Sequence, residues 1–208
     1  MKYSHLLWDF NGTILNDVDT GIKSVNTLLK CRGLKLLESV DEYQEVFTFP
    51  VINYYHKLGF DFESESYDDI AVEWVAEYME NVKSAEINRG IVDVLKSVTV
   101  PQIILSASEI NMLTTQLTNL SIIGYFDEIL GLDNIKAGSK IDIAVDWMNR
   151  VKPKSALLIG DTVHDYETAK AIGVDCILVT FGHQKRGTLL QYGVPVIDDI
   201  GEIFNYLL

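Results

Sequence analysis

Near the start of the chain, the short apolar run His5-Leu6-Leu7-Trp8 breaks off at Asp9-Phe10-Asn11-Gly12-Thr13. Such a run reads as a buried strand, and the glycine with its hydroxyl neighbour reads as the turn that ends it. In open α/β sheets ligands bind beyond the carboxyl ends of the strands. Asp9 is therefore presented at a sheet edge where a carboxylate meets a ligand.

The rest of the chain divides in two. Residues 16–84 read as helices with no strand between them. Val18, Ile22, Val25 and Leu29 recur at helical spacing behind a cap at Asp17 or Asp19, and Gly33 ends that helix. Ser39-Val40-Asp41-Glu42 reads as a capping box opening a short helix through Phe47. Pro50 to Leu58 gives another helix, closed by Gly59, and Tyr67 to Val82 a longer amphipathic one.

From residue 90 helix and strand alternate. Apolar runs at 101–106, 128–130, 156–160, 176–180 and 194–197 are separated by helical patterns at 109–119, 139–150, 165–172 and 186–191, with one more helix at the C-terminal end. Repeated strand–helix units predict a doubly wound, mainly parallel α/β sheet covered on both faces, with right-handed crossovers. The expected organisation is a core of residues 1–15 and 85–208, with residues 16–84 inserted as a helical cap over the Asp9 edge.

A formal charge of −13 with no basic run argues against a nucleic acid partner. No apolar stretch reaches the ~18 residues of a membrane span, and no secretory leader precedes the first strand, so a cytoplasmic location is the expectation. Cys31 and Cys176 are far apart and set among apolar residues, which reads as two buried free thiols. The spacing says nothing about oligomeric state.

Three strand ends bring polar groups to one edge: Asp9, Ser106 and Asp161. Lys140 precedes the last of these strands. A carboxylate can attack phosphorus, a hydroxyl and an ammonium can hold phosphate oxygens, and further carboxylates bind a hard divalent cation. His5 and His56 read as packing or surface residues, and His164 and His183 as candidates for the site. Gly182 to Thr188 lacks the lysine of a phosphate loop and reads as a surface loop.

These residues resemble, in order, the four motifs of the haloacid dehalogenase-like hydrolases. Asp9, Gly12 and Thr13 match the first motif, Asp-x-Asp-Gly-Thr. Ser106 in Ile104-Leu105-Ser106-Ala107-Ser108 matches the second, Lys140 in Gly138-Ser139-Lys140 the third, and Gly160-Asp161-Thr162-Val163-His164-Asp165 the fourth. Phe47-Thr48-Phe49-Pro50 and Leu58-Gly59-Phe60-Asp61 resemble, more loosely, the small helical cap of phosphoglycolate-phosphatase-like members. The resemblance implies a Rossmann-like core and hydrolysis of a small phosphorylated metabolite through an aspartyl phosphate on Asp9. It implies Mg²⁺ held by Asp9, Asp161 and the backbone carbonyl of Asn11, with Asp165 supporting that site. Gly12, Thr13, Ser106, Ala107 and Lys140 would hold the phosphoryl group, the amides of the Phe10–Thr13 turn forming a nest.

Asn11 departs from the pattern, since the family's second aspartate protonates the leaving oxygen and then activates water. An amide cannot carry a proton, and general acid–base catalysis is typically worth ~10²–10⁴ in rate. The sequence leaves several readings open: a phosphatase with a substitute donor, another reaction of the same family, a phospho-metabolite binder, or deamidation of Asn11-Gly12 to aspartate.

Overall fold

A computed structural model describes residues 1–208. β1 (His5–Trp8) leads through β2 (Leu15–Asn16) into four helices, α1 (Val18–Cys31), α2 (Val40–Val46), α3 (Val51–Lys57) and α4 (Tyr67–Asn81). β3 (Glu86–Ile87) returns, followed by α5 (Ile91–Ser97), β4 (Gln102–Glu109), α6 (Ile110–Asn119) and β5 (Glu128–Leu132). Then come α7 (Ile141–Val151), β6 (Ala156–Gly160), α8 (Val163–Ile172), β7 (Asp175–Val179), α9 (Arg186–Leu189), β8 (Val196–Ile197) and α10 (Phe204–Leu207).

Six strands form one parallel sheet in the order β5-β4-β1-β6-β7-β8, the doubly wound α/β fold expected from the alternation. Strand residues alternate between faces. Leu6 and Trp8 enter the core under α5 and α6, whereas Leu7 joins Leu105, Leu158 and Trp147 on the opposite face. β1 lies between β4 and β6, so its carboxyl end is flanked by the ends of both.

Helices α1 to α4 enclose a separate apolar cluster that includes Val25, Leu28, Tyr43, Tyr54 and Ile70. Arg32 adds a polar tie: its guanidinium holds both oxygens of Glu65 at 2.8 Å and 2.9 Å and reaches Glu73 at 2.6 Å. Ser66 caps α4 through Asp68 and Asp69 N–H.

Several local expectations change. No strand lies between α1 and α4, as expected, but the stems on either side of the helical segment, for which no strand was expected, pair as β2 and β3, Leu15 opposite Ile87 and Asn16 opposite Glu86. Two residues are too few to show an alternating pattern. Ser39 does cap α2, accepting from Glu42 N–H, but the Glu42 carboxylate reaches Glu38 N–H instead of closing the box on Ser39. Cys176 is buried on β7, whereas Cys31 is exposed, because it lies with Lys30 on the side of the last turn of α1 away from the buried Leu28 and Leu29. Asp17 stands at the N-cap position of α1 without capping it; its carboxylate is committed elsewhere.

Candidate active site

The three polar strand ends converge as the topology requires. Asp9, Ser106 and Asp161 are buried at one edge of the sheet, and Lys140, just before α7, is buried among them. The Lys140 ammonium donates to Asp9 Oδ1 at 2.5 Å, Asp165 Oδ1 at 2.6 Å and the Leu105 carbonyl at 2.9 Å. Its three donors thus have three acceptors. Burial would lower the lysine's pKa, but the Asp165 and Asp9 carboxylates outweigh it and hold the ammonium charged.

Asp165 spends its other oxygen on the turn after β6, accepting from Thr162 N–H at 2.9 Å, Thr162 Oγ1 at 2.7 Å and Asp161 N–H at 3.2 Å. This arrangement fixes where Asp161 points. Asp161 accepts from Thr13 Oγ1 at 3.0 Å and from His183 N–H at 2.6 Å. A Cβ at Gly12, whose φ is +75°, would strike Asp161 and His183, and one at Gly182 would strike Asp161. Glycine is needed at both positions for backbone to approach the carboxylate this closely.

The segment 182–188, expected to be a surface loop, starts instead as a wall of the site, with His183 and Gln184 buried. His183 faces Asp17 with its Nε2 at 3.3 Å from Oδ1, and its Nδ1 lies 2.8 Å from the Tyr43 hydroxyl. Burial opposes the imidazolium, but Asp17 outweighs it and pushes the His183 pKa up to about 9. His164, the other candidate, accepts the Lys140 N–H on Nε2 at 3.3 Å and stacks on Phe49. Burial and the Lys140 charge bring its pKa down to about 4, so its ring is neutral.

Asn11 is held on three sides. Its amide donates to Asp17 Oδ2 and to the Tyr78 hydroxyl, both at 2.8 Å, while its Oδ1 accepts from Ser108 Oγ at 2.7 Å. Asp17 also accepts from the Tyr78 hydroxyl at 2.6 Å and from Gly12 N–H at 2.8 Å. The Gly12 N–H is bonded to the Leu15 carbonyl as well, so this member of the expected phosphate nest is already occupied. Asn88 braces the same turn from β3's exit, donating to the Gly12 and Thr13 carbonyls. Ser106 Oγ accepts from Ser108 N–H at 3.1 Å, which leaves its proton for a ligand. Sequence reasoning did not assign Tyr78, Asn88 or Ser108 to the site, periodicity left open whether Tyr43 faces it, and Asp17 was read only as a cap. Their roles arise from contacts between distant segments that no local pattern records.

The donor set suits a divalent cation bound through oxygen. Carboxylate oxygens of Asp9, Asp161 and Asp165 lie within 4.8 Å of one another. Four buried carboxylates, those three and Asp17, face two buried cations, Lys140 and His183. Burial, together with the neighbouring carboxylates, raises the Asp9 pKa well above its ordinary value despite Lys140. It raises that of Asp161 to about 6 despite His183. Both shifts are those of carboxylates short of positive charge.

Above this floor lies a cavity of about 140 Å³ between the core and the helical segment. Phe47, Phe49, Tyr55, Tyr67, Trp74 and Val75 form much of its roof. The segment is closed down on the core. Tyr67 donates to the Lys136 carbonyl at 2.7 Å, Gln44 donates to the Gly182 carbonyl at 2.7 Å, and Lys185 pairs with Glu45.

Solved structures share this architecture. A haloacid dehalogenase-like hydrolase family protein from Streptococcus pneumoniae superposes with a TM-score of 0.83 at 21% identity over 99% of both chains. A predicted phosphatase from Clostridium acetobutylicum gives 0.79 at 21% identity, over 99% of this chain and 98% of the other. A predicted phosphoglycolate phosphatase from Haemophilus somnus gives 0.79 at 15% identity, over 100% of this chain and 99% of the other. No curated protein matches the sequence. The model of the haloacid dehalogenase-like hydrolases matches residues 6–179, which takes in Asp9, Ser106, Lys140 and Asp161, and the chain belongs to that family.

Proposed function

We propose that the protein is a Mg²⁺-dependent phosphatase of small phosphate monoesters, with Asp9 as the nucleophile and helices α1 to α4 acting as a cap. The observation that carries this reading is the buried meeting of Asp9, Lys140, Asp161 and Ser106 at one sheet edge beneath a closed helical roof.

Asp9 attacks phosphorus, and the ester P–O bond breaks to leave an aspartyl phosphate and the oxyanion of the leaving group, which takes its proton from water. Lys140 offsets the negative charge that an incoming phosphoryl group adds beside Asp9. The Ser106 hydroxyl, with the backbone at Thr13 and Ala107, holds phosphoryl oxygens. Asp9, Asp161 and the Asn11 carbonyl would hold Mg²⁺, with Asp165 orienting the loop around it; the ion would neutralise charge on the transferring group. Water then attacks the phosphorus of the aspartyl phosphate, releasing inorganic phosphate and restoring Asp9. The closed cap keeps bulk water away during the first step.

The test is phosphate release from a panel of small phosphate esters with Mg²⁺, comparing the natural protein with Asp9→Asn and Asn11→Asp. Turnover by the natural protein that vanishes in Asp9→Asn is the expected result. If Asp9→Asn retains it, the nucleophile is misassigned; if only Asn11→Asp turns over, the natural chain is not a phosphatase. The second outcome would favour a binder on the same scaffold, a reading supported by the three hydrogen bonds that immobilise the Asn11 side chain.

A further inference from the structure

The roof of the cavity and the side chain at its floor constrain the substrate independently, and they agree. Apart from Lys140, no lysine or arginine lines the cavity, and Lys140 is consumed by Asp9, Asp165 and a carbonyl. The remaining charges facing it are acidic, Asp9, Asp17, Asp161 and Glu109, together with the His183 imidazolium already paired to Asp17. A second anionic group on the substrate, such as a carboxylate, meets no free cation here and several carboxylates. What the roof offers is aromatic faces and edges, Phe49, Tyr55 and Trp74 among them.

At the floor, the position that should protonate the leaving oxygen is an amide, and its neighbours do not replace it. His183 has one ring nitrogen on Asp17 and the other on Tyr43. His164 Nε2 is an acceptor for the Lys140 N–H. The Tyr78 hydroxyl donates to Asp17. A leaving group that departs here must therefore leave as an anion. Phenols ionise at about 10, whereas an alkoxide is nearly as basic as hydroxide and is a far poorer leaving group.

We propose that the substrates are aryl phosphates, a phosphoryl group on a phenolic oxygen, with the ring in the aromatic cavity under α3 and α4 and no second anionic group. This rests on the phosphatase reading above. In the first step an Asp9 oxygen bonds to phosphorus, the P–O(aryl) bond breaks, and the electron pair leaves on a phenolate that takes its proton from solvent. No group at position 11 activates water for the second step, so the aspartyl phosphate accumulates.

Two measurements test the proposal. In the first, Mg²⁺-loaded protein is mixed with phenyl phosphate, benzyl phosphate or phosphoglycolate, and alcohol release is followed through the first turnover. Benzyl phosphate keeps the ring but releases an alkoxide, and phosphoglycolate replaces the ring with a carboxylate. Phenyl phosphate should react ~10²–10⁴-fold faster than benzyl phosphate, in a burst stoichiometric with enzyme, and phosphoglycolate should be poorer than both. Asn11→Asp should narrow the gap between phenyl and benzyl phosphate. Phosphoglycolate equal to phenyl phosphate, or benzyl equal to phenyl, overturns the proposal and leaves the phosphatase reading standing.

In the second, the thermal midpoint is compared with phenylphosphonate and with phosphonoacetate, neither of which can be hydrolysed. An upward shift with phenylphosphonate alone is expected, and Trp74→Ala should reduce it. A shift with phosphonoacetate alone, or with neither, overturns the aryl class. Binding of phenylphosphonate without turnover of any ester means instead that the phosphatase reading has failed while the cavity has been read correctly.

Discussion

The side-chain amide of Asn11 donates a 2.8 Å hydrogen bond to the Tyr78 hydroxyl, and so ties the end of β1 to the last turns of α4. The same hydroxyl donates to Asp17 at 2.6 Å, beside the base of α1. Core and helical segment thus share one buried polar junction, and the residue that departs from the family motif is its centre.

Removing the Tyr78 hydroxyl should loosen that junction without opening a cavity. Tyr78→Phe leaves the buried Asp17 carboxylate with one donor fewer and the half-buried Asn11 amide with one acceptor fewer. The expected loss is about 1–3 kcal/mol in urea denaturation, with faster amide exchange in α4 than in β6. Unchanged stability together with unchanged exchange would show that the junction does not hold the segment down.

Lys140 lies between Asp9 and Asp165 with almost no exposed surface. Substituting Lys140→Met leaves two buried carboxylates without their cation, and breaking a buried pair in this way typically costs about 3–5 kcal/mol. Chemical denaturation in EDTA should show a loss of that order, and phosphate release should fall with it. Substituting Asp165→Asn in the same protein should recover part of the stability, because one of the stranded charges is then gone.

The core was legible in the sequence because each of its strands is a local signal. Leu6-Leu7-Trp8 and Leu157-Leu158-Ile159 are apolar without alternation, and each stops at an aspartate that the sheet order then sets side by side. What stayed hidden depends on contacts across long stretches of chain. Tyr78 lies 61 residues from Asp17, and Tyr43 lies 140 residues from His183. Both tyrosines sit within helical patterns, where an aromatic residue reads as core. Asp17 was misread for a related reason: its position before α1 suits a helix cap, and only the fold shows stronger donors within its reach. Gly182-His183 carried no motif, and its place against Asp161 follows from the course of the chain after β7.

Gly182 should be as intolerant of a side chain as any residue of the site. Its added Cβ would meet the Asp161 carboxylate and has no flexible neighbour to displace. Gly182→Ala is expected to cost about 1–3 kcal/mol as an overpacked substitution. Its effect on phosphate release should be larger than that stability loss explains, because Asp161 is displaced. Gly187, with nothing near its Cβ direction, supplies the control, and Gly187→Ala should leave activity unchanged.

The excess of buried carboxylate predicts opposite responses with and without Mg²⁺. On the proposed function Mg²⁺ binds the folded chain and not the unfolded one, so the thermal midpoint should rise with its concentration, by the equivalent of about 2.7 kcal/mol at 100 times the dissociation constant. Asp161 is a buried carboxylate whose pKa is raised to about 6 by burial and by Asp165, so near pH 7 its charge opposes folding when no cation is present. Asp161→Asn removes that charge and keeps an oxygen to accept the His183 N–H. The variant should therefore be at least as stable as the natural protein in EDTA, yet gain little from Mg²⁺, so that plots of thermal midpoint against Mg²⁺ concentration cross. Plots that rise in parallel would place the ion somewhere other than Asp161.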